Sequence, residues 1–296
     1  MGRFPLDHAG RLVPLLEAEA DASERTRVRV ANCTRLSQSL RYATLRLMLV
    51  SNPKGGYSFV KGIAPYSAGV VASADFEIER ARMDKPIPIP EAFSRLDNHL
   101  AKLGRPSQAL CGMELRSPSP FTFKGFSDFN ASYVHYLEKR DILVNGLNPV
   151  ARTNVAPEIA APSEPVVYAF SYTIPAPAAR RSFIVAGAGE LPEGSLDPHD
   201  IVRQGEDSLD ALTEKARFVI ALMDGRLHGL GAAWDAVTAV DVYTVHNIAP
   251  FLASLILPRT GNARHGIVWH YTRPPITGIE YEMDVRGCAS ELVLTL

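Results

Sequence analysis

Two segments near the end of the chain hold the residue types that bind an acid and move a proton. Ala263-Arg264-His265 opens a run through Trp269 that turns at Pro274-Pro275 into Gly278-Ile279-Glu280-Tyr281-Glu282. A guanidinium presents a planar fork of N–H donors that fits a carboxylate, a geometry that lysine does not reproduce. A carboxyl group whose pKa is raised by partial burial donates a proton and then, as its conjugate base, orients water. Arg264 is therefore a candidate anchor, and Glu280 and Glu282 are candidate proton carriers. Two positions apart on a predicted strand, the glutamates share a face, so direction does not separate them. On an uncovered sheet edge the same residues make only a surface ion pair, and the elements that position them decide. His265 and His270 face opposite ways along one strand, so that strand alone cannot offer both to one metal.

A dianionic ligand needs a second cation. Arg152, in Ala151-Arg152-Thr153-Asn154-Val155, and Arg116, in Glu114-Leu115-Arg116-Ser117-Pro118, are the candidates. Other motifs carry little. Ser58-Phe59-Val60-Lys61 has S-x-x-K spacing but sits on a predicted strand, where the pair does not share a helical turn. Gly187-Ala188-Gly189 follows a strand yet runs into Leu191-Pro192 instead of a helix, which argues against a dinucleotide.

The 296 residues have room for two ordinary cores. Lysine plus arginine (31) balances aspartate plus glutamate (32), so no field for a polyanion is implied and no nucleic-acid partner is expected. No apolar run approaches the length of a membrane span. Cys33, Cys111 and Cys288 are far apart and form no C-x-x-C pair, and the first residues lack an apolar leader, so a reducing, cytoplasmic setting is expected.

The elements that must position the candidates follow from periodicity. A helix is predicted over 10–22 and strands over 27–30 and 40–50, the last closing as a hairpin through Asn52-Pro53-Lys54-Gly55-Gly56 onto 57–62. Pro90 starts a helix with Ala92, Phe93, Leu96, Leu100 and Leu103 on one face, and Gly104 ends it. Strand 109–115, helix 126–140 and strand 151–155 precede a Pro/Ala-rich stretch over 156–165. Strands 165–174 and 181–187, a helix within 199–224, strand 237–245, a helix from Ala249 and the closing hairpin follow.

The halves match in order. Tyr42-Ala43 falls on Tyr168-Ala169, Ser58-Phe59 near Ser182-Phe183, Gly104 on Gly231, Gln108-Ala109 on Asp235-Ala236 and Glu114 on Asp241. Arg152 falls on Arg264 if the second copy is shorter after its third strand. The predicted fold is α+β, a tandem duplication of a strand-strand-helix-strand-helix-strand layer with helices on one face. Its domains are an extension over 1–38, a first repeat over 39–160 and a second over 161–296. Such a layer leaves an apolar sheet face, which another copy would cover.

The second half resembles the Rid (YjgF) superfamily of enamine and imine deaminases. Ser182-Phe183-Ile184-Val185-Ala186-Gly187 looks like its apolar strand ending in glycine, and Gly231 to Tyr243 like its Gly-x-x-x-Asp segment. Ala263-Arg264 looks like its Pro-Ala-Arg, with Asn262 in the proline's place, and Ile279-Glu280-Tyr281-Glu282 like its closing strand. The double length resembles the larger 2-aminomuconate deaminases, with the double-length chorismatases as the nearest alternative. The resemblance implies a deaminase that hydrolyses an enamine or imine such as 2-aminomuconate, in aromatic-compound degradation, to the 2-hydroxy or oxo acid and ammonia. That chemistry requires no metal or organic cofactor. It implies catalytic roles for Glu280 and Arg264, substrate contacts from Arg152, Arg116, Glu282 and His265, and a first copy that keeps Arg152 but lacks the glutamate. It also implies a small-molecule carboxylate substrate and a homotrimer, whose six repeats form a pseudo-hexameric ring. The alternatives are pyruvate release from chorismate and ligand binding without turnover.

Overall fold

Along the central strands one side chain in two is apolar and the next is small or charged, and this alternation fixes what each sheet face meets. On β5 (Leu110–Arg116), Met113 and Leu115 enter a helix-covered core. Gly112, Glu114 and Arg116 alternate with them. On β12 (Glu282–Gly287), Met283 and Val285 enter the second core while Glu282, Asp284 and Arg286 alternate. The computed structural model describes residues 49–177, 180–260, 263–288 and 290–295, so the predicted helix over 10–22 and the strands before Leu49 lie outside the described residues.

One sheet has the order β11-β6-β5-β7-β4-β13, from β4 (Phe76–Pro88), β5, β6 (Ala151–Pro157), β7 (Val166–Pro175), β11 (Thr272–Arg273) and β13 (Ser290–Leu294). The other has the order β1-β2-β3-β8-β12-β9-β10. It comprises β1 (Leu49–Asn52), β2 (Tyr57–Val60), β3 (Gly69–Ala72), β8 (Phe183–Gly189), β9 (Ala239–Tyr243), β10 (Ile267–His270) and β12. Helices α1 (Ile89–Lys102) and α2 (Phe123–Glu138) pack on the first sheet. On the second lie α3 (Leu209–Gly229) and α4 (Ala249–Phe251), which continues through a π-helical turn (Leu252–Ile256) into α5 (Leu257–Thr260).

Two four-strand units share one pattern. In β4-β7-β5-β6 and in β8-β12-β9-β10 the first two pairings are antiparallel and the last is parallel, and each parallel pair is joined across a helical segment. The α+β duplication is thus visible in topology. Gly104 and Gly231 occupy matching places just past α1 and α3, with φ of 64° and 63°. That left-handed conformation suits glycine and explains why the pair marks the repeat. Glu114 and Asp241 also match, each lying between an antiparallel and a parallel neighbour.

Three expectations change. β7, read from sequence as opening the second copy, is hydrogen-bonded between β4 and β5 in the first sheet. The closing segment is not a hairpin, because β10 runs parallel to β9 and β12 inserts antiparallel between β8 and β9. The second sheet faces are covered by the other repeat, but they are not wholly apolar. They meet within the chain, through an apolar patch that includes Phe59, Val70, Ile78, Cys111 and Ala186 and through a charged patch described below. No helix among the described residues is long and apolar enough to cross a membrane.

Lys215 occupies a turn of α3 whose other inward residues are apolar, and its side chain is fully buried with that of Glu190. Nζ donates to Glu190 Oε1 at 3.0 Å and to the Val202 carbonyl at 2.8 Å. The Glu190 carboxylate also accepts from the backbone N–H of Glu280 (2.7 Å) and of Tyr281 (3.0 Å), clamping the chain where it enters β12. Removing one member of a buried pair strands the other and costs about 3–5 kcal/mol. Lys215→Met is expected to lose stability of that order in urea denaturation at neutral pH, and adding Glu190→Gln is expected to restore part of it.

Candidate active site

Strand β6 passes beside β8 and β12, and the junction of the two sheets leaves a cleft that opens to solvent. Arg152, Asn154 and Phe126 line it from the first unit. Gly187, Arg226 and Glu282 line it from the second, with the loop from Leu191 to Leu196 and the apolar side chains of Ile276 and Ile279.

Glu282 opens β12 and is 4% exposed. Burial pushes its carboxyl well above the ordinary range; the charge of Asp284 adds to this, and Arg226 and Arg152 offset it only in part. Gly187 makes the room, since a Cβ there would collide with Glu282 Oε1 and press on Thr153. A carboxyl of raised pKa beside a cleft has the chemistry of a general acid.

Arg152 is 2% exposed and lies among the rings of Tyr133 (4.9 Å), Tyr66 (5.0 Å), Phe126 (5.6 Å) and Phe129 (5.8 Å). These faces steady the guanidinium by cation–π attraction without using its donors. Nε and Nη1 have no hydrogen-bond partner among the described residues. Two residues on, Asn154 Oδ1 accepts from Ser117 Oγ at 3.0 Å, while Nδ2 is buried and unpartnered among the described residues. Buried donors left unpaired are costly, so their retention at a cleft marks a place for an acceptor. Arg226 differs in that its donors are engaged: Nε and Nη2 bind Glu193 at 2.6 and 3.0 Å, and Nη1 donates to the carbonyl of Ala186 at 2.8 Å.

Behind the cleft, Thr153 turns the opposite way into the inter-sheet patch. Its hydroxyl accepts from the Gly187 N–H at 3.1 Å and donates to Asp284 Oδ2 at 2.6 Å, which also accepts from Tyr243 Oη at 2.8 Å. Burial, followed by the charges of Asp241 and Glu114, pushes Asp284 up to about 7. Asp241 is held low in spite of its burial by the His270 ring at 3.0 Å and by Arg286. Arg80 and Glu114 complete the patch with a two-point contact at 2.6 and 2.8 Å.

Of the residues predicted from sequence, Glu282 and Arg152 come together at the cleft. Arg264 and His265 do not. They form an exposed turn before β10, and the His265 N–H donates to Thr238, whose own N–H donates to Arg286. Parallel pairing with β9 therefore carries that turn to the Arg286 end of β12, roughly 13 Å along the strand from Glu282. Glu280 lies before β12, outside the cleft lining, with Oε2 2.9 Å from His246 Nε2. The alternation rule failed here because residues 279–281 are not in a strand, and Ile279 and Glu282 both reach the cleft. Arg116 is buried against Tyr168 at 4.0 Å and donates from Nη1 to the Leu115 carbonyl at 2.9 Å, away from the cleft lining. Asn154, Gly187, Arg226 and Glu193 escaped sequence reasoning. The signals available were an asparagine two places from Arg152 on one strand and, for Gly187, its place as the glycine that ends the family's apolar strand.

Glu282 gives a sign that can be measured. A carboxyl with a raised native pKa holds more protons folded than unfolded, so stability falls as pH rises from the ordinary value of 4.5 through the native one. Glutamine escapes this loss. Glu282→Gln is expected to match the parent in urea midpoint near pH 4.5 and to exceed it increasingly toward pH 8.

The chain matches the family model described as 2-aminomuconate deaminase CnbZ over residues 49–292. It is 46% identical over 243 residues to 2-amino-5-chloromuconate deaminase of Comamonas testosteroni, covering 81% of this chain and 96% of that protein. Among solved structures it is similar to a chorismatase, with TM-score 0.43 and 12% identity over 81% of this chain and 78% of that one. It is also similar to the YjgF gene product of E. coli, with TM-score 0.25 and 12% identity over 36% and 80%. The family match spans both sheets and every residue that lines the cleft, and the chain belongs to the 2-aminomuconate deaminase family.

Proposed function

We propose that this chain is a cytoplasmic deaminase of 2-aminomuconate or a substituted 2-aminomuconate, with Glu282 as its proton carrier and Arg152 as its carboxylate anchor. The observation that carries the reading is the cleft itself, where a buried acid of raised pKa faces a caged guanidinium with unspent donors. Family membership and the activity named for the Comamonas testosteroni relative support the substrate class.

The substrate carboxylate next to the amino carbon accepts from Arg152, and Asn154 Nδ2 donates to the same end. Protonated Glu282 gives its proton to the enamine carbon, the C=C pair forms that C–H bond, and the nitrogen lone pair closes a C=N bond. The Glu282 carboxylate then takes a proton from water as its oxygen adds to the iminium carbon. The resulting amino alcohol passes its hydroxyl proton to nitrogen, the C–N bond breaks, and ammonia leaves the 2-oxo acid or its 2-hydroxy tautomer. One water is consumed and Glu282 ends protonated, ready for another turn.

General acid catalysis of this kind contributes about 10²–10⁴-fold. Glu282→Gln is expected to lower kcat by that factor while the protein remains folded, followed as ammonia released from 2-aminomuconate. Arg152→Lys is expected mainly to raise KM, because an ammonium does not replace the caged fork. Arg264→Gln and Glu280→Gln are expected to stay within about twofold of the parent. A large loss in either of these two, with Glu282→Gln active, overturns the assignment.

A further inference from the structure

Arg226 is the second guanidinium of the cleft, and a protein carboxylate already sits on it. Glu193 binds side-on through both oxygens, at 2.6 Å to Nε and 3.0 Å to Nη2, the two-point geometry in which a free carboxylate docks on arginine. The two partners differ in how firmly they are held. Arg226 lies on α3, is 4% exposed and is fixed from behind by the Ala186 carbonyl at 2.8 Å. Glu193 lies on the loop after β8, between Pro192 and Gly194, and the latter has φ of 80°. Its side chain is 24% exposed. Both line the same cleft as Arg152, whose Nε and Nη1 are unpartnered among the described residues. The cleft thus offers one open carboxylate anchor and one covered by an internal carboxylate on a loop.

We propose that Arg226 is the subsite for the far carboxylate of an extended dicarboxylate, and that Glu193 covers it as an internal stand-in which that carboxylate displaces. The inference rests on the reading of Arg152 as the near anchor. A monocarboxylate of equal length uses Arg152 and leaves Glu193 in place. A dicarboxylate exchanges one charge-assisted pair for another at Arg226, so no buried charge is left alone, and the freed loop carries Glu193 to solvent. Glu193 then sets specificity at this subsite: it keeps ligands with an uncharged far end off Arg226, because they cannot replace its bonds. Its competition also weakens every ligand that does displace it.

Calorimetric titration of the full chain with hexa-2,4-dienedioate and with hexa-2,4-dienoate tests this without turnover. In Glu193→Gln the dianion is expected to bind about tenfold more tightly than in the parent, since a neutral amide is the weaker competitor, while the monoanion changes by less than about threefold. Arg152→Gln is expected to weaken both ligands. Weaker dianion binding in Glu193→Gln, or equal shifts for the two ligands, would falsify the stand-in and leave Glu193 as a loop tether. Ammonia release from 2-aminomuconate by the parent, measured separately, tests the deaminase reading itself, so failure of one is not mistaken for failure of the other.

Discussion

Two sheets meet through faces that are partly charged, and every charge buried there needs a partner within hydrogen-bond reach. Arg80 with Glu114, Arg286 with Asp241, and Thr153 and Tyr243 on Asp284 satisfy that requirement across strands that are distant in sequence. Such pairs add little net stability over an apolar isostere, yet a wrong register would leave uncompensated charge, which is far more costly. The charged patch therefore sets how β5, β6, β9 and β12 line up. The position of Glu282 at the start of β12 follows from that alignment and from the Glu190 clamp just before it.

The raised pKa of Glu282 is a consequence of burial first and of its charged neighbour Asp284 second. Asp241 and Glu114 press on Asp284, Asp284 presses on Glu282, and Glu282 lies at the rim of the patch, fully desolvated. A proton stays where a further anion would be most expensive. The chain thereby raises the pKa of this carboxyl through its fold alone, and the cleft lies beside it.

The two units are alike in topology and unlike in chemistry. Where β12 carries Glu282, β7 carries Val166 and Val167, and where β6 carries Arg152 opposite Met113, β10 carries Ile267 opposite Val240. Glu282 belongs to the second unit and Arg152 to the first, and both line the one cleft. The pairing of the two units is therefore part of the cleft.

The sequence by itself determined the element types, the duplicated α+β layer and the kind of chemistry. Local signals sufficed for the elements, since Pro90 and Gly104 bound a helix and the spacing of Leu96 and Leu100 aims it, while the kind of chemistry came from the resemblance to the Rid superfamily. Only the tertiary structure decided which arginine meets which glutamate. Arg264 and Glu280 looked paired because a hairpin was assumed between them. The parallel β9–β10 pairing sends Arg264 to the far end of the sheet, while packing of β6 against β8 brings Arg152 to Glu282. Strand order and register depend on contacts between residues a hundred or more positions apart, such as Thr153 with Asp284, and no local pattern records them.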